Sequence, residues 1–165
     1  MIGYHPARDP YHTIVRFVRL LDIFDRPVEF ERLRIADFLL LFPEHVHDMS
    51  IPRGDMGLRS SIPRNANPYW RNVDAALLFR QMASVHTAAL NRMIAAGTVH
   101  RTIADLVELI PGAVPQELAA AAYSSSLLTK EIQSLVEGPL TALPIVGQHG
   151  LKARSALMEY RYDGS

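Results

Sequence analysis

The chain has 165 residues, with 17 Lys plus Arg against 17 Asp plus Glu, so its formal net charge is zero. That balance argues against a dedicated nucleic-acid binder and leaves little self-repulsion to oppose association with a partner. With 48 % hydrophobic residues, 21 % charged residues and no cysteine, the composition is that of a globular chain with a real core, in which disulfides, thiolate catalysis and Cys-ligated zinc are excluded.

The first element is a helix. Asp9-Pro10 has the form of an N-cap followed by Pro at the first helical position. Behind it Ile14, Phe17, Val18, Leu21 and Phe24 recur at amphipathic spacing, with Arg16, Arg19 and Asp22 on other faces. Arg26-Pro27 stops it, because the residue before a Pro disfavours the α region. A second helix is expected from near Val28 to Pro43; its last part, Phe38 to Phe42, is apolar on every side. No stretch approaches the ~20 apolar residues of a membrane span, and no apolar leader follows MIGYHPARDP. A soluble, cytoplasmic protein is expected.

Glu44 to Tyr69 carries five Pro and Gly residues among three Arg and reads as a long loop, or a loop with a short helix. Asn72 to Ala96 is helical, with a break expected near Ala83-Ser84, and Gly97 suits the left-handed residue after a helix. The branched residues from Thr98 to Ile110 suggest a two-stranded hairpin, with a short helix over Ile103 to Ile110 as the competitor. Pro115 opens a further helix that Gly138-Pro139 closes, and the remaining tail has no clear period.

The expected fold is mainly α: a winged-helix-like helical domain with a small β-hairpin and an additional C-terminal helix and tail. The expected organisation is one domain over 1–165. It comprises a helical pair over 1–43, a long loop over 44–70, a winged-helix-like part over 71–111, and a helix and tail over 112–165. An irregular helical bundle is the alternative.

Several constellations were candidates for chemistry. His45-Val46-His47-Asp48 puts two imidazoles one residue apart between carboxylates. It departs from the H-x-H-x-D-H pattern of dinuclear hydrolases, and the other histidines show no ligand spacing, so a solvated helix end is favoured over a metal site. Ser124-Ser125-Ser126 lacks the surroundings of a nucleophile elbow, and no phosphate-binding loop occurs. No catalytic, cofactor or metal residues are assigned. The helix from Ala83 would be the recognition helix of a winged helix, with Ser84, His86, Thr87, Asn91 and Arg92 facing out, a weakly charged set for phosphate contacts. The loop arginines with Tyr69 and Trp70 suit a protein interface better than nucleic acid. Asp37 stands out: it lies among Ile35, Phe38 and Leu39 and needs a partner if buried, for which an Arg such as Arg34 or Arg161 would serve, on this chain or another.

Four blocks, DPYHTIVRFVRLL, VEFERLRIADFLLLFP, ALLFRQMASVHTAALNRMIAAGTV and GLKARSALMEYRYD, together resemble the small middle component of ABC-three-component systems, relatives of the Lamassu-type bacterial anti-phage systems. The resemblance implies a non-enzymatic adaptor without cofactor. Its implied partners are an SMC-like coiled-coil ATPase, a nuclease effector and DNA within the complex. The candidate interface residues are Tyr11, His12, Arg34, Asp37 and Phe42 near the start, Tyr69 and Trp70 in the loop, Arg80 and Gln81 midway, and Gly150, Leu151, Lys152, Arg154, Glu159, Tyr160 and Arg161 at the end. The family pattern leads one to expect Gly where this chain has Ala156. The rival functions are a stand-alone winged-helix DNA-binding regulator and, behind it, a metal-dependent hydrolase using His45 and His47.

Overall fold

The computed structural model describes residues 5–64 and 74–158. Helix α1 spans Pro10–Phe24, its Asp9 carboxylate accepting from the Tyr11 and His12 amides as the sequence leads one to expect. It ends at Asp25, which is left-handed with φ 49°. Strand β1, Val28–Glu29, precedes α2, Phe30–Leu41. The second helix therefore starts two residues later than expected: Pro27 holds the chain extended, and Val28 and Glu29 pair with a distant strand. The stretch after α2 is built of two 3-10 turns, Pro43–Asp48 and Arg53–Asp55, and a short helix α3, Met56–Ser61.

Helices α4, Ala75–Gln81, and α5, Ala83–Ala95, follow, separated at Met82 and so close to the expected break. Helix α5 closes as expected on Gly97, whose φ is 71°. The Thr98 amide donates to Met93 and the Gly97 amide to Ile94, the paired bonds that satisfy the last carbonyls of a helix. Strands β2, Val99–Arg101, and β3, Leu106–Leu109, form the expected hairpin. Strand β1 adds to it antiparallel, Val28 opposite Val107, giving the sheet order β1-β3-β2. The protein is thus mainly helical with a small three-stranded antiparallel sheet, and its order α1-β1-α2-α5-β2-β3 is winged-helix-like.

The expected single helix after Pro115 is two. Helix α6, Gln116–Ser124, and α7, Lys130–Glu137, are separated at the serine run, where Thr129 caps α7 by accepting from the Ile132 amide. Serine and threonine side chains compete for backbone groups and favour caps over helix interiors. Two short helices, α8, Pro139–Ala142, and α9, Leu151–Arg154, lie in the tail.

Helix α1 lies at the centre, packed against α2, α5, α6 and α7, with β3 also against it. Phe17 and Leu20 of α1, Leu33, Ile35 and Leu39 of α2, Leu90 of α5, Val107 of β3 and Leu135 of α7 are fully or almost fully buried. Burying a Leu or Phe side chain of this kind contributes roughly 1.5–3 kcal/mol. Because α1 is surrounded, its nominally polar faces are buried as well. Arg16 is 3 % exposed and Thr13 is fully buried, which is where the molecule's polar chemistry concentrates.

Candidate functional site

Asp37 of α2 is fully buried, and its partner is Arg16 of α1, not Arg34. The Arg16 Nε–H donates to Asp37 Oδ1 at 2.6 Å and Nη2 donates to Oδ2 at 3.1 Å, a fork matched to the carboxylate. Nη2 also donates to the Thr13 hydroxyl at 3.0 Å, and Nη1 to the Pro6 carbonyl at 3.3 Å. The pair lies within the chain.

His86, expected on the outward face of α5, is instead fully buried and is the second partner. Its Nε2 lies 2.9 Å from Asp37 Oδ2, and a carboxylate only accepts, so Nε2 carries the hydrogen. Its Nδ1 accepts from the Arg34 Nε–H at 3.2 Å. One nitrogen donates and the other accepts, so the ring is the neutral tautomer. Arg34 is half-buried, with its guanidinium 4.4 Å over the Phe79 ring. Burial lowers its pKa, partly countered by Glu31. For Asp37, burial pushes the pKa up, but the Arg16 charge and the hydrogen bonds from His86 and Arg16 outweigh it, and the net shift is downward.

A buried carboxylate beside an imidazole is also how a general base is oriented in many enzymes. Here the oxygens of Asp37 and both His86 nitrogens are engaged with side chains of the same chain. Phe17 stacks on His86 with ring centroids 5.7 Å apart. The arrangement can fix α1, α2 and α5 against one another.

The His45 and His47 imidazoles lie on a 3-10 turn and reach different carbonyls. His45 Nε2 donates to Ser155 at 2.7 Å, and His47 Nε2 to Ile62 at 2.7 Å. Nδ1 of His47 is buried without a partner among the described residues. No group of three or more His, Cys, Asp and Glu side chains that could hold a metal occurs among the described residues.

The remaining candidates divide between core and surface. Phe42 is 5 % exposed and packs on Phe38, centroids 4.8 Å apart. Leu151 is buried, and Gly150 allows a close approach: a Cβ there would lie 2.3 Å from the Val146 carbonyl oxygen. Arg154 donates from Nε to the His149 carbonyl at 2.6 Å and from Nη1 to Ser50 at 3.0 Å. Tyr11, His12, Arg80 and Gln81 are exposed, and Lys152 is half-exposed. Tyr69, Trp70, Glu159, Tyr160 and Arg161 lie outside the described residues. Sequence reasoning missed Arg16 and His86 as site members. Arg16 sits off the apolar stripe of α1, and its partner is 21 positions away.

Ala156, where the family pattern leads one to expect Gly, has φ 56°. That is the left-handed region that glycine adopts freely and other residues at a cost, so the position is one where a glycine would fit without strain.

Fold and site together define a small, mainly helical module whose prominent polar cluster is built into its packing. The chain belongs to the family of ABC-three component (ABC-3C) system Middle Component 5, whose family model matches residues 2–163. It is accordingly an accessory component of an ABC-three-component anti-phage system. No curated protein and no solved structure matches the chain.

Proposed function

We propose that this chain is the non-enzymatic adaptor of its system, a cytoplasmic subunit that binds an SMC-like coiled-coil ATPase and links it to a nuclease effector. The observation that carries the reading is the closure of the Arg16–Asp37–His86–Arg34 cluster. The pairing that most resembles catalytic machinery is fully buried at Asp37 and His86 and has its donors and acceptors matched to one another, so it serves cohesion. The exposed face of α5 supports a protein partner over DNA. Its outward residues include Ser84, Thr87 and Asn91 with a single formal charge, Arg92, where a DNA-reading helix carries several phosphate-neutralising cations.

The interface is proposed to include Tyr11 and His12 at the start of α1, Arg80 and Gln81 at the end of α4, and Lys152 on α9. Tyr69, Trp70, Glu159, Tyr160 and Arg161 complete it. The chain forms one domain over 1–165 and unfolds in a single transition. Co-expression of the tagged chain with the products of its neighbouring genes tests the reading. An SMC-like ATPase co-purifies with it in fixed stoichiometry. A chain that purifies alone and protects a specific promoter would be the winged-helix regulator instead.

A further inference from the structure

A cleft of about 430 Å³ opens between the C-terminal end of α1 and the exit of β3. Its apolar lining includes Leu21, Pro27, Leu109 and Ile110, and its carboxylates are Asp22, Asp25 and Glu108. This volume falls within the roughly 300–1,000 Å³ of sites that accept ligand-sized groups. We propose that the cleft docks a cationic segment of a partner protein, an Arg or Lys side chain flanked by an apolar residue. The inference rests on the adaptor reading and names one surface through which it is carried out.

Three observations select that occupant. The first is charge. A helix C-terminus carries partial negative charge and favours cations in its last turn. Helix α1 has no basic residue there but has Asp22 at its end and Asp25 as its C-cap, so carboxylates face the wrong end of the dipole. Glu108 adds a third. Of the nearby cations, Arg26 also lines the cleft; its guanidinium is directed to the neutral Thr141 carbonyl at 2.5 Å and forms no ion pair with the three carboxylates. Asp22 accepts from Arg19 at 3.5 Å and from the Tyr123 hydroxyl, and Glu108 faces His100 at 3.5 Å. Asp25 has no hydrogen bond or ion pair from its side chain among the described residues. The cleft thus carries three carboxylates against the one Arg26 guanidinium, with Asp25 the carboxylate that no side chain of the described residues engages.

The second observation is the spread of the carboxylates. They do not form a group that could hold a metal, so the field suits an extended guanidinium or ammonium side chain more than a bare ion. It also repels a phosphate backbone. The third is the apolar margin. Ile110 is 36 % exposed and Tyr123, bonded to Asp22, is 55 % exposed. An aromatic and an aliphatic anchor beside charge is the composition of a protein-binding hot spot.

The test compares the wild type with an Asp25→Asn/Glu108→Gln double variant, and with Glu117→Gln on α6 as a control outside the cleft. Binding to the ATPase and the effector encoded beside the gene is measured at two salt concentrations. The double variant binds one of them about tenfold more weakly, and its affinity depends less on salt. Its melting temperature is unchanged or higher, because an acid has been removed from a helix C-terminus. On complex formation the wild type gains hydrogen-exchange protection over 106–112. Wild-type binding that the double variant matches, or binding without protection at 106–112, overturns the inference and leaves the adaptor reading standing. If the wild type binds neither component, the adaptor reading fails and this inference with it. Self-association lost in the double variant would make the occupant a second copy of this chain, contrary to the proposal.

Discussion

Arg16 and Arg32 are equally buried, each 3 % exposed, yet they meet different chemistry. Arg16 meets a side-chain carboxylate whose other oxygen is shared with an imidazole, which in turn accepts from a second Arg. Arg32 forks onto Glu29 and sends Nη1 to two main-chain oxygens, Leu140 at 2.5 Å and Leu143 at 2.7 Å. Other contacts of the tail repeat this second chemistry: Arg26 binds the Thr141 carbonyl and His45 that of Ser155, and Arg154 of the tail binds the Ser50 carbonyl in return. Regular helices can afford a charge network because their own carbonyls are satisfied internally. An irregular tail presents free carbonyls, and Arg and His side chains are the donors that satisfy them. The helical half is thus pinned by mutually dependent charges, and the tail by separable donors.

Asp37→Ala strikes the charge network of the helical half at its centre. It leaves Arg16 buried without its counter-charge and His86 without its acceptor, and the expected loss is about 3–5 kcal/mol, read as a drop in melting temperature of the whole chain. The same carboxyl gives an acid signature. Its folded pKa lies below the ordinary value of 3.8. Its stabilisation is therefore complete above the unfolded value and is lost as pH falls through the folded one. Wild-type stability declines below pH 3.8, while an Asp37→Asn variant, already weaker, lacks this component of the decline in the same denaturation series.

For the tail, Arg32→Met on α2 keeps much of the buried stem and removes the donors to Leu140 and Leu143. It costs about 1–3 kcal/mol by leaving carbonyls unpaired, and hydrogen exchange quickens over 140–145 before the helical half responds. A loss spread evenly over the chain would erase the distinction between the two halves. The smallest effect has the opposite sign. Ala156→Gly relieves a left-handed residue and stabilises by up to about 1 kcal/mol, offset in part by the greater freedom of glycine in the unfolded chain.

Elements with local signals were legible in the sequence. Asp9-Pro10 marked the start of α1, Gly97 the end of α5, and the branched run after it the hairpin. Asp37 was legible as a carboxylate in need of an Arg, because one charge among apolar neighbours violates the helix pattern. The identity of the Arg was not legible. Nothing local distinguishes Arg16 from Arg19, and α1 buries one and leaves the other partly exposed according to what packs around it. Strand β1 is two residues long and exists through pairing with Leu106 and Val107, far along the chain. The separation of α6 from α7 was hidden because Leu, Ala and Ile keep helical spacing across the serines. His86 was placed outward by analogy with a recognition helix, whereas its neighbours on α1 and α2 bury it.

As the proposed adaptor, this chain acts through a bound partner. Native mass spectrometry of the complex captured on the tagged chain, co-expressed with its neighbouring genes, tests it most directly. The expected spectrum shows one dominant assembly containing an SMC-like ATPase and this chain in integral ratio, retained when His45 and His47 are both replaced by Gln. A chain that flies alone from the same cells would contradict it.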